Sequence, residues 1–333
     1  MMFDRRGQIL DEFDAPFQRS WGINMVGECK FTLPVRDTKN TEANFQFGNH
    51  IVVMNDDGLP PWCGRMTTPR VWGNKTTKHK AISSESIFAD RIGPYTKPYG
   101  IIGEAGRNFL TILQIANDAE DTLIRTGDVY RGGSNTGTLI SPAVLLSDNI
   151  GQILKQSGCE YEVVPQVVNN RLTLYLNLYA EMGTDTGVAL NDANCRIEEN
   201  SLSENGPIKN LLLGIGQEQE IQNHYLATNK ASRDTYGLMA APYEVNAVEA
   251  PAVEALTLQQ LAELRRPRKT FRATASQVNN LFRSLRNGNR LWYENVENGY
   301  GARGIVGTQA QVRLFGMAYS DSVDGVALTI GIY

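Results

Sequence analysis

The stretch "QVRLFGMAYSDSVDGVALTIGIY", Gln311 to Tyr333, holds two alternating runs around an Asp-Gly pair. Val312 and Leu314 alternate with polar neighbours before the pair, and Val326, Leu328 and Ile330 alternate after it. Period-two alternation marks a half-buried strand. Asp-Gly between two such runs signals a hairpin, because both central residues of a type I′ turn need positive φ. The same arrangement occurs once before: the run Ile51 to Met54, then Asp57-Gly58, then Trp62 to Met66. There Pro60 and Pro61 lengthen or distort the turn.

Working outward, the first hundred residues read as short strands. "ECKFTLPV" sets Cys29, Phe31 and Leu33 on one face and Lys30 and Thr32 on the other, and Pro34 ends it. In "NKTTKHKAISSESIFADR" polar residues alternate with Ala81, Ile82 and Ile87. About six strands are expected here, spaced as in a small barrel. The period then changes. "GRNFLTILQIANDAEDTLIRTG" carries Phe109, Leu110, Leu113, Ala116, Leu123 and Ile124 at helical spacings, with Gly127 as its terminator. "SPAVLLSDNIGQILKQSG" predicts a second helix with Ser141 as N-cap, Pro142 at the first position and Gly158 at the end. "CEYEVVPQVVNNRLTLYLNLYAEMG" predicts a hairpin around Asn169-Asn170. Its second strand sets Leu172, Leu174, Leu176 and Leu178 against Thr173, Tyr175, Asn177 and Tyr179. "NLLLGIGQEQE" reads as a further strand, and "TLQQLAELRR" as a short amphipathic helix with Thr257 as N-cap. "TASQVNNLFRSLRNGNRLWYENV" reads as another helix, leading to a turn at Asn287-Gly288 and a strand. The fold class expected is mainly β (α+β).

Composition narrows the function. Of 333 residues, 41% are hydrophobic and 20% charged, enough for a sizeable core. A net charge of −4 argues against a dedicated nucleic-acid binder, which needs clustered Lys and Arg. The basic run "RRPRK", Arg265 to Lys269, is expected to be a solvated loop. Cys29, Cys63, Cys159 and Cys195 and the three histidines His50, His79 and His224 have no metal-ligand spacing. Cys29 and Cys63 read as small buried hydrophobes of a reduced, intracellularly made protein. "MMFDRRGQIL" is not a signal peptide, and no run is long and apolar enough for a transmembrane segment.

No motif supplies a catalytic centre. "GIGQEQ", Gly214 to Gln219, lacks the third glycine of a dinucleotide loop and reads as a strand-edge bulge. "NDDG", Asn55 to Gly58, lacks calcium-ligand spacing and reads as a turn. "RGGSNTGT", Arg131 to Thr138, lacks the Lys-Ser/Thr of a phosphate loop and reads as a surface loop. The histidines have no nucleophile partner, and Glu120, Asp121 and Asp128 read as a solvated helix end. Tyr95, Tyr99, Trp72 and Trp292 would serve either a carbohydrate platform or, more economically for a barrel protein, the core or a subunit interface. No catalytic, cofactor-binding or metal-ligating residue is assigned, and no cofactor is expected.

In order and local pattern the chain resembles phage tail hub proteins. The opening "DRRGQILDEFDAPFQRSWGINMVGECKFTLP", then "FGNHIVVMNDDG" and "WCGRM", is similar to their first strands. The mid-chain helix and hairpin module comes next, then "NLLLGIGQEQE" with "ASRDTYGLMAA", and last the closing hairpin. The resemblance implies two similar small β-barrels joined by α/β modules. The barrels fall at 1–98 and at 166–223 with 285–333, the α/β module at 99–165 and a helical or mixed insertion at 224–284. It also implies a homotrimer in which six quasi-equivalent barrels match a sixfold tail tube to a threefold tip. Such a hub closes the distal end of the tube in the virion, at the baseplate or tail tip, and is made in the host cytoplasm. The partners implied are a distal tail or tail tube protein, a tape measure protein, and tip, spike or fibre proteins. DNA would pass transiently through the lumen without stable binding. Such a protein needs no catalysis, only large interfaces, of order 2,000 Å² or more in obligate assemblies. On that reading the two hairpins are equivalent parts of duplicated barrels, and the last strand closes the second. The competing class is a carbohydrate-binding or glycan-hydrolysing receptor-recognition protein, which needs two carboxylates about 5–10 Å apart in one cleft.

Overall fold

A computed structural model describes residues 1–54, 59–66, 71–133, 135–191, 194–197, 203–205, 208–217, 222–245, 249–266, 268–275, 285–293, 310–320 and 326–332. The chain forms two compact units, one of Met1–Glu199 with Phe271–Tyr333, the other of Asn200–Thr270.

In the first unit, seven strands pair antiparallel in the order Phe17–Gly22, Glu28–Pro34, Thr76–Ser83, Trp62–Met66, His50–Val53, Met2–Phe3 and Ile9–Asp11. Cys29, Phe31 and Leu33 are buried and Lys30 faces outward, as the alternation predicts. Phe13, Phe17, Phe31 and Phe45 fill the interior with ring centroids 5.2 to 6.0 Å apart. Burial of His50–Val53 is continuous because its two faces serve two cores. Ile51 and Val53 pack with Met2 and Trp62, and Val52 packs with Phe3 and Cys63 on the other side.

That second core is the mid-chain module. Helices Ala105–Ala119 and Leu146–Ser157 contribute Phe109, Ile112, Ile150 and Ile153, which share a core with Leu172, Leu174, Leu176 and Leu178. The four leucines come from Arg171–Tyr179, which lies parallel to Ile124–Val129 and antiparallel to Glu160–Val168. Asn169 and Asn170 have φ of 51° and 61°, the left-handed pair of a type I′ turn, as their position in the sequence implies.

Local competition for hydrogen bonds moves both helix boundaries from their expected places. The first helix stops at Ala119, so Leu123 lies in the connection, Ile124 opens the next strand and Gly127 sits inside that strand. Asn117 ends the helix: its Oδ1 accepts the Thr122 N–H and hydroxyl, and its Nδ2 donates to the Ile124 carbonyl. Gly127 is there for space, since a Cβ would stand 2.1 Å from Asn177 Oδ1. The second helix starts at Leu146, because the Ser141 hydroxyl and carbonyl accept the Ala143 and Val144 N–H groups in a separate turn. Gly158 closes it as expected, at φ 70° with its N–H on Leu154. Asn135 to Thr138 are strand and not loop, paired with Tyr99–Glu104.

The closing strands join the two ends of the chain. Ala310–Ser320 pairs along its start with Arg290–Tyr293 and along its end with Phe17–Gly22, from Gly316↔Gly22 to Ser320↔Gln18. Its other edge holds Val326–Ile332. Val312, Leu314, Val326, Leu328 and Ile330 are all buried. A turn at Asn287-Gly288 precedes Arg290–Tyr293, as expected. Asp57-Gly58, Asp324-Gly325 and the helix expected over 276–284 lie outside the described residues.

In the second unit, Leu211–Ile215 lies between His224–Thr228, antiparallel, and Ala240–Glu244, parallel, with helix Ala250–Leu264 packed on the sheet. Gly214 is not in a bulge but in a regular ladder, where a Cβ would stand 1.8 Å from Thr257 Oγ1. Thr257 is correspondingly not an N-cap: the helix begins at Ala250, and the buried Thr257 hydroxyl donates to the Val253 carbonyl. Asn229 caps the short helix Lys230–Tyr236 by accepting the Ser232 N–H.

Val326–Ile332 is an interior strand, flanked by Ala310–Ser320 and Arg268–Ala275. Burying Val326, Leu328 and Ile330 contributes roughly 5–9 kcal/mol, comparable with the whole stability of a domain. Deleting 327–333 is expected to abolish cooperative unfolding of the first unit in a denaturant melt. A soluble truncation with an unchanged melting transition would contradict this.

Candidate functional site: the buried junction of the sheet

Glu160 begins the strand that leaves the mid-chain module, and Arg313 lies in the closing hairpin. Their side chains meet in a bidentate pair, with Nη1 donating to Oε1 at 2.6 Å and Nη2 to Oε2. Arg313 Nη2 also donates to the Met182 carbonyl at 2.9 Å, and Nε to the Gly288 carbonyl at 3.2 Å. Glu160 Oε2 in turn accepts the Met182 N–H at 2.7 Å. Both residues are more than nine-tenths buried. A charge so placed needs all its hydrogen bonds, since desolvation costs several kcal/mol per ion.

Two glycines let the backbone come this close. Gly183 and Gly288 have φ of 82° and 85°, and a Cβ on either would stand 2.1 to 2.4 Å from backbone atoms of the other's loop. The Arg286–Asn289 turn is fastened by the Arg286 N–H on Asn289 Oδ1; the Asn289 carbonyl then accepts the Leu314 N–H, and the Gly288 N–H donates to the Leu314 carbonyl. Asn24 makes a second tie: its Nδ2 donates to the Cys159 carbonyl and its Oδ1 accepts the Tyr161 N–H. Nearby, Glu85 accepts the Val163 N–H, and burial pushes its carboxyl above the usual range. Sequence patterning carries no sign of this junction, because Glu160 and Arg313 are 153 positions apart.

The residues weighed from sequence do not converge. His79 is buried and stacks on Phe31, while His224 is exposed on an outer strand. His50 is buried, and desolvation first, then the Arg65 charge, lowers its pKa from 6.5 to about 4. All four cysteines are buried and free, and burial raises the Cys63 thiol to about 12, far from a reactive thiolate. Among the described residues no group of three or more His, Cys, Asp or Glu is placed to hold a metal. Glu120 reaches Arg5 and Arg91, and Asp121 pairs with Arg125, at the exposed end of the first helix as expected, whereas Asp128 lies within the strand Ile124–Val129. Tyr95, Tyr99 and Trp292 are exposed; the side chain of Trp72 lies outside the described residues. No described helix is long and apolar enough to cross a membrane.

Solved structures of phage tail proteins share this fold. A prophage tail protein, gp18, from Listeria monocytogenes EGD-e superposes with a TM-score of 0.58 at 11% identity, over 99% of this chain and 89% of that one. The 43 kDa tail protein of prophage MuSo2 from Shewanella oneidensis gives 0.59 at 10% identity, over 96% and 94%. A tail protein from Neisseria meningitidis MC58 gives 0.59 at 11%, over 99% and 95%. At such identities the likeness is one of fold, and the mainly β, tail-hub-like architecture expected from sequence is the one the chain adopts. No protein-family profile matches the sequence, and no curated protein does.

Removing one partner of the buried pair leaves an uncompensated charge. Arg313→Met or Glu160→Gln alone should destabilise the first unit by about 3–5 kcal/mol, and Arg313→Met with Glu160→Leu by clearly less than the sum. Strict additivity in denaturant melts would show that the two are not coupled. His50 gives a pH dependence. Its folded pKa lies below the unfolded value, so its stabilising effect is complete above about pH 6.5 and is lost as pH falls towards 4. Between pH 6.5 and 4.5 the wild type should lose about 2–3 kcal/mol, and His50→Gln should lose little. Parallel profiles for the two would rule out His50 as the source.

Proposed function

We propose that the chain is a structural component of a phage or phage-like tail, the baseplate or tail-tip hub that closes the distal end of the tail tube. The observation that carries this is the extent of the likeness: the fold matches tail proteins over 96–99% of this chain and 89–95% of theirs.

On this reading 1–98 is one barrel and 166–223 with 285–333 the other, and the pairing of Phe17–Gly22 with Ala310–Ser320 joins them within one chain. Three copies in a ring then offer six such elements to a sixfold tube above and a threefold tip below. The neighbours are the distal tail or tube protein, the tape measure protein and tip, spike or fibre proteins, and DNA crosses the lumen without being held. The work is interface burial, with no catalytic step. Exposed Tyr95, Ile102, Leu139 and Met25 are the kind of apolar side chain that such interfaces cover.

Size-exclusion chromatography with light scattering checks the assembly. The purified chain is expected to run at three times its monomer mass and to form threefold rings in negative stain. A protein that stays monomeric at high concentration would overturn the reading.

A further inference from the structure

The outer face of the fused sheet carries a basic groove. Strand register sets Ser320, Gln18, Lys30 and Lys80 in one row across four strands, and Thr32, Lys78 and Val71 in the next. Alternate residues of the same strands, Phe17, Phe31 and His79, are buried in the core, so the two rows project outward. A groove of about 630 Å³ lies over them. It shares Gln18, Lys30 and Ser320 with a second hollow of about 330 Å³ that runs over Ser20, Glu28 and Ala318.

Lysines predominate on this face among the described residues. Lys30 and Lys80 stand directly opposite on neighbouring strands, an arrangement that is destabilising when left alone. Glu28 lies between them and pairs with both, at 2.6 Å from Lys80. Lys78, two residues along the same strand and exposed, makes no ion pair among the described residues. Among the described residues this face carries Lys30, Lys78 and Lys80 with Glu28, on a chain whose net charge is −4. Val71, largely exposed, adds an apolar rim.

We propose that this groove binds an extended, acidic segment of a partner protein. In an extended chain alternate side chains share one face and recur about every 6.6 Å, the same spacing that separates Lys78 from Lys80 on their strand. Carboxylates at alternate positions therefore meet the lysines in register. The floor of Gln18, Ser20, Thr32, Ala318 and Ser320 is small enough to admit a backbone and polar enough to hydrogen-bond it. A nucleic-acid duplex fits poorly: three lysines neutralise at most about three phosphates, and Glu28 sits among them as a repelling charge. This inference stands whether or not the chain is a tail hub.

The test is fluorescence anisotropy with the full chain and a labelled (Glu-Thr)₄ peptide at 50 and 300 mM salt, against (Lys-Thr)₄ and a 12-base-pair duplex. The acidic peptide should bind, weaken at higher salt, and lose at least tenfold in affinity with Lys30→Gln, Lys78→Gln and Lys80→Gln combined. Lys78→Gln alone touches no ion pair, and it should weaken binding several-fold with an unchanged melting temperature. Three results would overturn the proposal: no binding of the acidic peptide, binding untouched by the lysine variants, or duplex bound as tightly as the peptide.

Discussion

Arg313 places a permanent positive charge where water scarcely reaches, and the surrounding backbone is arranged to answer it. Glu160 takes two of its donors, and the Met182 and Gly288 carbonyls take one each. These partners come from three separate stretches of chain: the start of the mid-chain hairpin, the loop after it and the turn before the closing strands. The network therefore fixes how the module meets the closing hairpin. Hydrophobic burial alone, being non-directional, would hold these layers together without choosing their register. Gly183 and Gly288 complete the arrangement, since any side chain there would push the two loops apart.

From that fixed point the topology follows. With Arg313 anchored, the far half of its strand reaches Phe17–Gly22, so a strand from the start of the chain and one from its end become neighbours. The pairing joins opposite ends of the chain, and it is a contact of the kind that gives β-rich proteins high contact order and slow folding. It also produces one continuous outer face across both ends of the chain, the face on which Lys30, Lys78 and Lys80 are gathered.

Much of this is legible in the sequence, for physical reasons specific to each place. The alternation in Glu28–Pro34 and in Arg171–Tyr179 survives because each strand has one buried face, so periodicity reports burial directly. Asn169-Asn170 and Gly158 are readable because left-handed backbone restricts the residue type. Ser141, Gly127, Gly214 and Thr257 mislead for a common reason. Each has a strong local role as a cap, terminator or bulge, yet each is used for a tertiary contact or a competing turn. Gly127 yields to Asn177, Gly214 yields to Thr257, and Asn117 ends a helix that the apolar spacing would have prolonged. The junction itself is out of reach, since an isolated Glu and an isolated Arg carry no periodic signal and meet only through the topology.

The fold matches tail proteins over 96–99% of this chain; a place in a particle is what remains to be tested. Electron cryomicroscopy of the particle that carries this chain tests that claim most directly. Three copies are expected in a ring at the distal end of the tail tube, each fitted by the fused sheet with the Arg313–Glu160 junction inside. Density that places the chain elsewhere in the particle, or a tail complete at its distal end without it, would contradict the account.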